Sequence, residues 1–553
     1  MIRENWRLVL LAVFVIAGGV ALLAPPLGGG AANATAASPT ADGPTNLQYG
    51  LELAGGTRIR APLVGLTAEG VDVARGEQAN TSQEIATALN VSAADVRVRT
   101  GNGSATVEVF PERVTGPEAA NGSGNVSAAE FARTLQSAGL EASAGDINEG
   151  VTEATYETAV NTLENKVSES GLAGGTVRTV QSAGERYIQI EVPNQNRSEV
   201  RELVATQGRV TTVAYFPTAG NGTPEYCEDD AWTNATSNGT VPEGYCSVTV
   251  LQSQEAFGSI QPVTQDAGVP YVPVTLTDEA AGPFVESMRR YGFADRANTS
   301  TCQFEGSRTG HCLLTVVDER VVFAAGIEGP RGGRPGLAQS FASGDFENDP
   351  SYRTSAPNVS EAQQLQVDLR AGALPARLNL DAGTSQFILP SLAQKFKTFS
   401  LVTGLVAVLA VAVTVFIRYR DPKVAAPMVV TALSEVFILL GFAAAVGLAL
   451  DLSHIAGFIA VIGTGVDDLV IIADEILQSD VKTGRVFQSR FRRALWVIGA
   501  AAATTIVAMS PLAVLSLGDL QGFAIVTIVG VLIGVLITRP AYGNVLRRLV
   551  TEG

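Results

Sequence analysis

The sequence predicts a bundle of six transmembrane α-helices carrying a large extracytoplasmic α+β domain with ferredoxin-like elements, and three observations predict it. Six windows of the 553 residues are apolar and long enough to cross a bilayer; crossing roughly 30 Å of hydrocarbon takes about 20 such residues. Lys and Arg crowd into alternate short connections between the windows. Residues 47–395, between the first and second windows, read as soluble protein.

The windows are 8–24, 399–417, 427–450, 455–476, 494–517 and 520–538. Arg3 and Arg7, in the short segment 1–7, precede the first. Its apolar run exceeds the roughly 7–15 residues of a cleavable signal, so it is expected to remain as an anchor. Residues 25–46, rich in Gly, Ala, Thr, Ser and Pro, read as a flexible linker. Arg418, Arg420 and Lys423 separate the second and third windows, and Lys482, Arg485, Arg490, Arg492 and Arg493 separate the fourth and fifth. Arg547 and Arg548 lie in the tail 539–553, whereas Asp451–His454 and Gly518–Asp519 carry no Lys or Arg. Basic connections stay in the cytoplasm, so both termini are expected there and the large domain outside.

Two further patterns point the same way. Asn-X-Ser/Thr acceptors run from Asn33 to Asn358 and stop there, within the expected exterior. All four cysteines, Cys227, Cys246, Cys302 and Cys312, also lie there. They allow three pairings, of which the local one is the simplest, and free thiols remain open. Neither pair has the spacing of a zinc site.

A net charge of −16 argues against nucleic acid as a partner. Lysine is confined to Lys166, Lys395, Lys397, Lys423 and Lys482. Such an acidic, Lys-poor chain suits a host adapted to high salt, where screening weakens surface self-repulsion; a GC-rich genome with an acidic bias is the alternative.

In the exterior domain, Tyr156, Val160, Leu163 and Val167 are spaced for an amphipathic helix over Glu153–Ser170, ended by Gly171–Gly175. A strand is expected at Tyr187–Pro193, a helix at Ser198–Thr206 and a strand at Val210–Phe216. Strands at Leu313–Val317 and Val321–Ala325 and a helix at Ser360–Arg370 follow. This order suggests split βαβ units. Residues 218–310 are read as an inserted head region, with 218–245 as a glycosylated excursion. His311 and His454 fall in different units, and no hydrolase, metalloprotease or P-loop motif is present. No enzymatic activity, cofactor or metal is expected.

The chemistry is in the fourth window, Gly463-Thr-Gly-Val-Asp-Asp-Leu-Val-Ile-Ile-Ala-Asp-Glu475. Asp467 lies about 18 Å along it, just past the midpoint. A carboxylate at that depth costs about 2.5–3.5 kcal/mol on insertion scales, so it is expected to face a partner or a water cavity. Asp467 and Asp474 share one face, and Asp468 and Glu475 the next. Ala456, Ala460, Thr464 and Asp468 form a ridge suited to close helix contact. Glu435 in the third window and Thr504, Thr505 and Ser510 in the fifth are candidate partners. Asp474 and Glu475 lie near the boundary, where a merely solvated role is equally open. Adjacent carboxylates at Asp467 and Asp468 would repel if both were ionised, so one is expected to hold a proton, as an ion-coupling site requires.

At these residues the chain resembles the SecD component of the SecD–SecF protein-export complex, in the resistance-nodulation-division superfamily. Gly50-Leu-Glu-Leu-Ala-Gly-Gly56 is similar to that family's box after the first span; Gly50, Gly55 and Gly56 carry the likeness. Leu369-Arg-Ala-Gly-Ala-Leu-Pro-Ala376, with Arg370, Gly372 and Pro375, resembles the segment before its second span. Gly463–Ile476 resembles its fourth-span signature, which puts the coupling aspartate on Asp467. Gly522-Phe-Ala524 and Thr538-Arg539 resemble its sixth-span pattern. Glu52, Ala54, Asp468 and Leu469 depart from the bacterial pattern and suggest an archaeal member. The resemblance implies half of a twelve-span bundle, working with a SecF-like six-span subunit, the Sec translocon channel, membrane lipid and an unfolded preprotein. It leaves proton or sodium coupling open. The competing readings are a small-molecule efflux transporter and a non-transporting glycosylated receptor or scaffold.

Overall fold

A computed structural model describes residues 6–24, 45–74, 76–100, 104–114, 125–172, 174–182, 184–218, 227, 244–251, 256–266, 268–304, 309–318, 320–327, 336–477, 484–514 and 519–551. The linker expected at 25–46 lies almost wholly outside the described residues, as does most of 218–245. The chain divides into two compact units, one of Met1–Ala61, Gly171–Val200 and Asp381–Gly553, the other of Pro62–Ser170 and Arg201–Leu380. The membrane helices thus share a unit with parts of the 47–395 stretch, because those parts supply a sheet built from both of its ends.

That sheet joins Thr384–Ile388, Gly56–Ala61, Glu185–Pro193 and Thr176–Ser182 in this order, all antiparallel. Period-two patterning sorts its faces: Ile188, Ile190 and Val192 are fully buried, while Glu191 on the other face accepts from Arg58 at 2.7 Å and Arg178 at 3.4 Å. Gly56 has φ +131, and a β-carbon there would lie 2.4 Å from the Val192 carbonyl, so this position of the box admits only glycine.

Among the described residues, six helices are long and apolar enough to span a membrane: Trp6–Leu23, Pro390–Tyr419, Pro422–Ala445, Leu452–Leu477, Gly484–Val514 and a sixth beginning at Asp519. Their bounds differ from the hydropathy windows where turn chemistry intervenes. The third span stops at Ala445; Ala449–Leu450 instead pairs in parallel with Gln48–Tyr49. The sixth does not stop at 538: Asp519–Ile533 passes through a wider π-turn, Gly534–Thr538, and continues as Arg539–Thr551. The first and third spans meet where Gly18 and Gly441 abut, leaving no room for a β-carbon at Gly441.

The box after the first span clasps the N-terminal end of the fourth. The Gly50 N–H donates to Leu450 O, and the Leu452 N–H, at the start of the fourth span, donates to Glu52 Oε2 at 3.2 Å. The Asp451 carboxylate accepts in return from the Glu52 N–H, but its Oδ1 is buried without a partner. A β-carbon on Gly50 would fall 2.0 Å from that oxygen. Burial first, then the charges of Glu191 and Glu52, against the opposing Glu52 N–H hydrogen bond and Arg58 charge, push the Asp451 carboxyl up from 3.8 to about 7. A carboxyl raised in the folded state contributes stability that is present below pH 3.8 and lost as pH rises through 7. Asp451→Asn, which mimics the protonated acid, is therefore expected to gain thermal midpoint over the unmodified protein as pH rises from 4 to 8, with the two converging at pH 4.

The second unit opens with a ferredoxin-like βαββαβ. Leu66–Val71, Gln78–Leu89, Val96–Thr100, Ala105–Val109, Ala128–Ser137 and Ile147–Glu149 follow in sequence. The strands order as second, third, first, fourth, around a core that includes Ile85, Val107, Phe131 and Leu135. Glu153–Glu169, Arg197–Ala205, Val210–Pro217, Cys312–Val317, Arg320–Ala325 and Val359–Ala371 agree with the sequence expectation to within two residues. Of the described residues in 218–310, the inserted head region of the sequence reading, Tyr245–Leu251 pairs with Val210–Pro217, and Phe284, Val285 and Met288 share one core with Leu365 and Leu369. Cys227–Cys246 and Cys302–Cys312 form disulfides, the local pairing.

Candidate ion-coupling site

The fourth span is about 39 Å long, and Asp467 and Asp468 lie about 23–24 Å from its N-terminal end. Helical geometry sends adjacent residues about 100° apart, so the two carboxylates leave the helix in different directions. Asp468 turns into the bundle, 20% exposed, and its Oδ2 accepts from Arg539 Nε at 3.2 Å. Asp467 lies on the exposed face with no partner among the described residues.

Arg539 is the hub. It is 1% exposed, and its Nη1 donates at 2.7 Å to Glu435 Oε2, on a carboxylate 2% exposed. The Thr538 hydroxyl donates to the same oxygen at 2.9 Å. Glu435 Oε1 is buried with no hydrogen-bond partner. Two glycines make the space. A β-carbon at Gly534 would sit 1.5 Å from Arg539 Nη1, and one at Gly465 would sit 3.3 Å from Glu435 Oε2 and 3.4 Å from Arg539 Nη2. The π-turn Gly534–Thr538, which ends just before Arg539, puts the glycine and the threonine against the guanidinium; such turns recur at functional sites.

Charge decides what this cluster can do. One guanidinium faces two carboxylates, and a third, Asp467, lies beside them. In hydrocarbon the surplus negative charge is costly unless a proton or small cation is taken up. The unpartnered Glu435 Oε1 and the open side of Asp468 are positions where it could be held.

Of the residues singled out in the sequence, the structure joins Asp468 and Glu435. Asp474 belongs to a different group near the far end of the span, where its carboxylate accepts from Arg418 Nη2 and from the Tyr419 hydroxyl, both at 2.8 Å. Glu475 pairs with Arg490 at 3.2 Å and Arg493 at 3.7 Å. Thr504, Thr505 and Ser510 are not brought to the carboxylates; their hydroxyls donate back to their own helix, at Ala501 O and Val507 O. In the second unit, Arg370 donates to Ile260 O and pairs with Glu169 at 2.9 Å. Gly372 caps that helix and Pro375 is buried. Beside them Lys166 and Asp368 form a fully buried ion pair at 3.1 Å. That segment acts as a structural buckle.

Sequence reasoning had Arg539 only as part of a motif and placed it in the tail. Pro540 follows it directly, and Arg before Pro at the end of an apolar run reads as a helix stop. The apolar positions Ala541, Tyr542 and Leu546, all buried, were the signal that the helix continues.

Residues 375–542 match the family model described as "Protein export membrane protein SecD/SecF, C-terminal". Over its whole length the chain is 48% identical to the protein-export membrane protein SecD of Haloferax volcanii, covering 99% of that protein. It is 49% identical to the protein of the same name from Haloquadratum walsbyi, with 99% of each chain covered. A crystal structure of SecDF, a translocon-associated membrane protein from Thermus thermophilus, aligns over all of this chain and 59% of that one, at 18% identity and a TM-score of 0.46. The chain thus spans about three-fifths of the length of that solved protein.

Proposed function

Since the chain belongs to the SecD family of protein-export membrane proteins, we propose that it serves as an auxiliary subunit of the Sec translocase, driven by an ion gradient. Its multi-pass bundle sits in the membrane with both termini in the cytoplasm and the second unit outside. The observation that carries the coupling is the imbalance of charge at mid-span, where Arg539 meets Glu435 and Asp468 with Asp467 at their edge. A proton or sodium ion entering this cluster changes how tightly Arg539 holds the third, fourth and sixth spans together. The Glu52–Leu452 clasp gives that movement a route to the sheet outside the membrane. There the exterior region grips an emerging unfolded preprotein. No step calls for bound nucleotide, a metal or an enzymatic reaction on this chain. Efflux of small molecules is not favoured, because the relatives that match this chain end to end are export proteins.

A partner is part of the proposal. Ala456, Thr464, Asp467 and Ile471 form an exposed stripe along the fourth span, spaced as one helix face. A charged residue on it cannot rest against lipid tails without a large cost. A SecF-like six-span subunit packed on this stripe would cover Asp467 and complete the site. A photo-cross-linking residue at position 471 is expected to trap one other multi-span membrane protein in native membranes. Adducts with lipid alone would exclude a partner on this face.

A further inference from the structure

We infer that the exposed basic face at the start of the fifth span is a binding site for the phosphodiester head group of an anionic membrane lipid. The helix Gly484–Val514 buries Phe487, Phe491, Ala494 and Ile498 against the bundle, at spacings of four, three and four. Its opposite face gathers Arg485, Gln488, Ser489, Arg492, Arg493 and Trp496 around one open cavity. Arg485 and Arg492 have no ion-pair partner among the described residues. Arg493 reaches only Glu475, at 3.7 Å, which Arg490 already holds at 3.2 Å. Positive charge is therefore in surplus here.

The position is as telling as the charge. Trp496 is 77% exposed, and the exposed residues beyond it, Val497 and Val507, are apolar. The cavity thus lies where a polar helix end meets hydrocarbon, the depth at which head groups and interfacial tryptophans reside. Guanidinium groups bind phosphate oxygens in bidentate fashion, and the amide of Gln488 and hydroxyl of Ser489 can donate to the same group. The indole of Trp496 covers the start of the acyl chains. A free phosphate would meet the same arginines but would not need the indole, and basic pockets on transmembrane helices favour anionic head groups.

The test uses the full-length chain, purified with any bound partner and placed in nanodiscs of equal phosphatidylcholine and phosphatidylglycerol. Retained lipids are then counted by native mass spectrometry. Phosphatidylglycerol is expected to be enriched among them, and the combined substitution R485Q/R492Q/R493Q is expected to remove the enrichment, by about fivefold for each arginine. A control that removes equal charge elsewhere on the same side, R420Q/K423Q/R548Q, is expected to leave it. Arg492→Lys, which keeps the charge and loses the planar fork, is expected to retain part. Equal losses in both triple variants would mean diffuse surface charge and overturn the proposal. Displacement of the lipid by inorganic phosphate would reassign the site to a soluble anion. Loss of a co-purifying protein with unchanged lipid retention would make this face a protein contact instead.

Discussion

Replacing Arg539 with Ala is expected to cost about 3–5 kcal/mol of stability, because it strands Glu435 without a counter-charge in the interior of the bundle. The cost arises from the carboxylate left behind more than from the lost contact. The double variant Arg539→Met/Glu435→Gln, which removes both charges, is therefore expected to recover much of the thermal midpoint. It should not recover export, since no charge remains to respond to an entering ion. Gly534→Ala separates the two effects from the other direction. A methyl group there occupies the place of Arg539 Nη1, although Ala favours a helix over Gly by about 0.8–1.0 kcal/mol. Export is expected to fall while the helical propensity of the span rises. Export at the normal rate in Gly534→Ala would mean that the position of Arg539 does not matter.

Asp467→Asn is expected to behave in the opposite sense for stability. This carboxylate has no partner among the described residues and sits at mid-span, where a charge costs about 2.5–3.5 kcal/mol on insertion scales. Neutralising it should leave the amount of protein in the membrane unchanged or raised. Export should nonetheless drop to the level seen without an ion gradient, because Asn cannot exchange a proton or bind a cation by charge. A residue that costs stability and is needed for activity marks a functional site. Asp474→Asn, by contrast, is expected to change export little, since Asp474 is tied to Arg418 and Tyr419 outside the cluster.

Much of this was legible in the sequence because single physical rules govern it. Hydrocarbon thickness fixes span length, so all six spans were visible, and period-two alternation exposed Tyr187–Pro193. Carboxylates are costly at depth, so Asp467 and Asp468 stood out. The two could not be told apart, however, because which way each turns depends on the rotation of the fourth span against its neighbours. Glu435 was nominated for its depth alone, whereas Thr504 and Thr505 were nominated for polarity and bond within their own helix. Arg539 fell in the tail because the apolar run ends at Thr538, whereas the helix passes through the π-turn and continues. The third span was drawn too long because Ala449 and Leu450 are apolar for a different reason, their pairing with the box strand. Residues 218–310 read as an insertion by composition, and long-range pairing joins their described strands Tyr245–Leu251 and Val269–Leu276 to Val210–Pro217 and Ser351–Ser355, which local sequence does not reveal.

The most direct measurement is the rate of preprotein export from cells carrying either the unmodified chain or Asp467→Asn, with the proton gradient and then the sodium gradient collapsed by selective ionophores. The unmodified protein is expected to slow when one of the two gradients is removed, and Asp467→Asn to be as slow from the outset and insensitive to either ionophore. Asp467→Asn that exports at the normal rate and still slows when the gradient is collapsed would contradict ion coupling through this cluster.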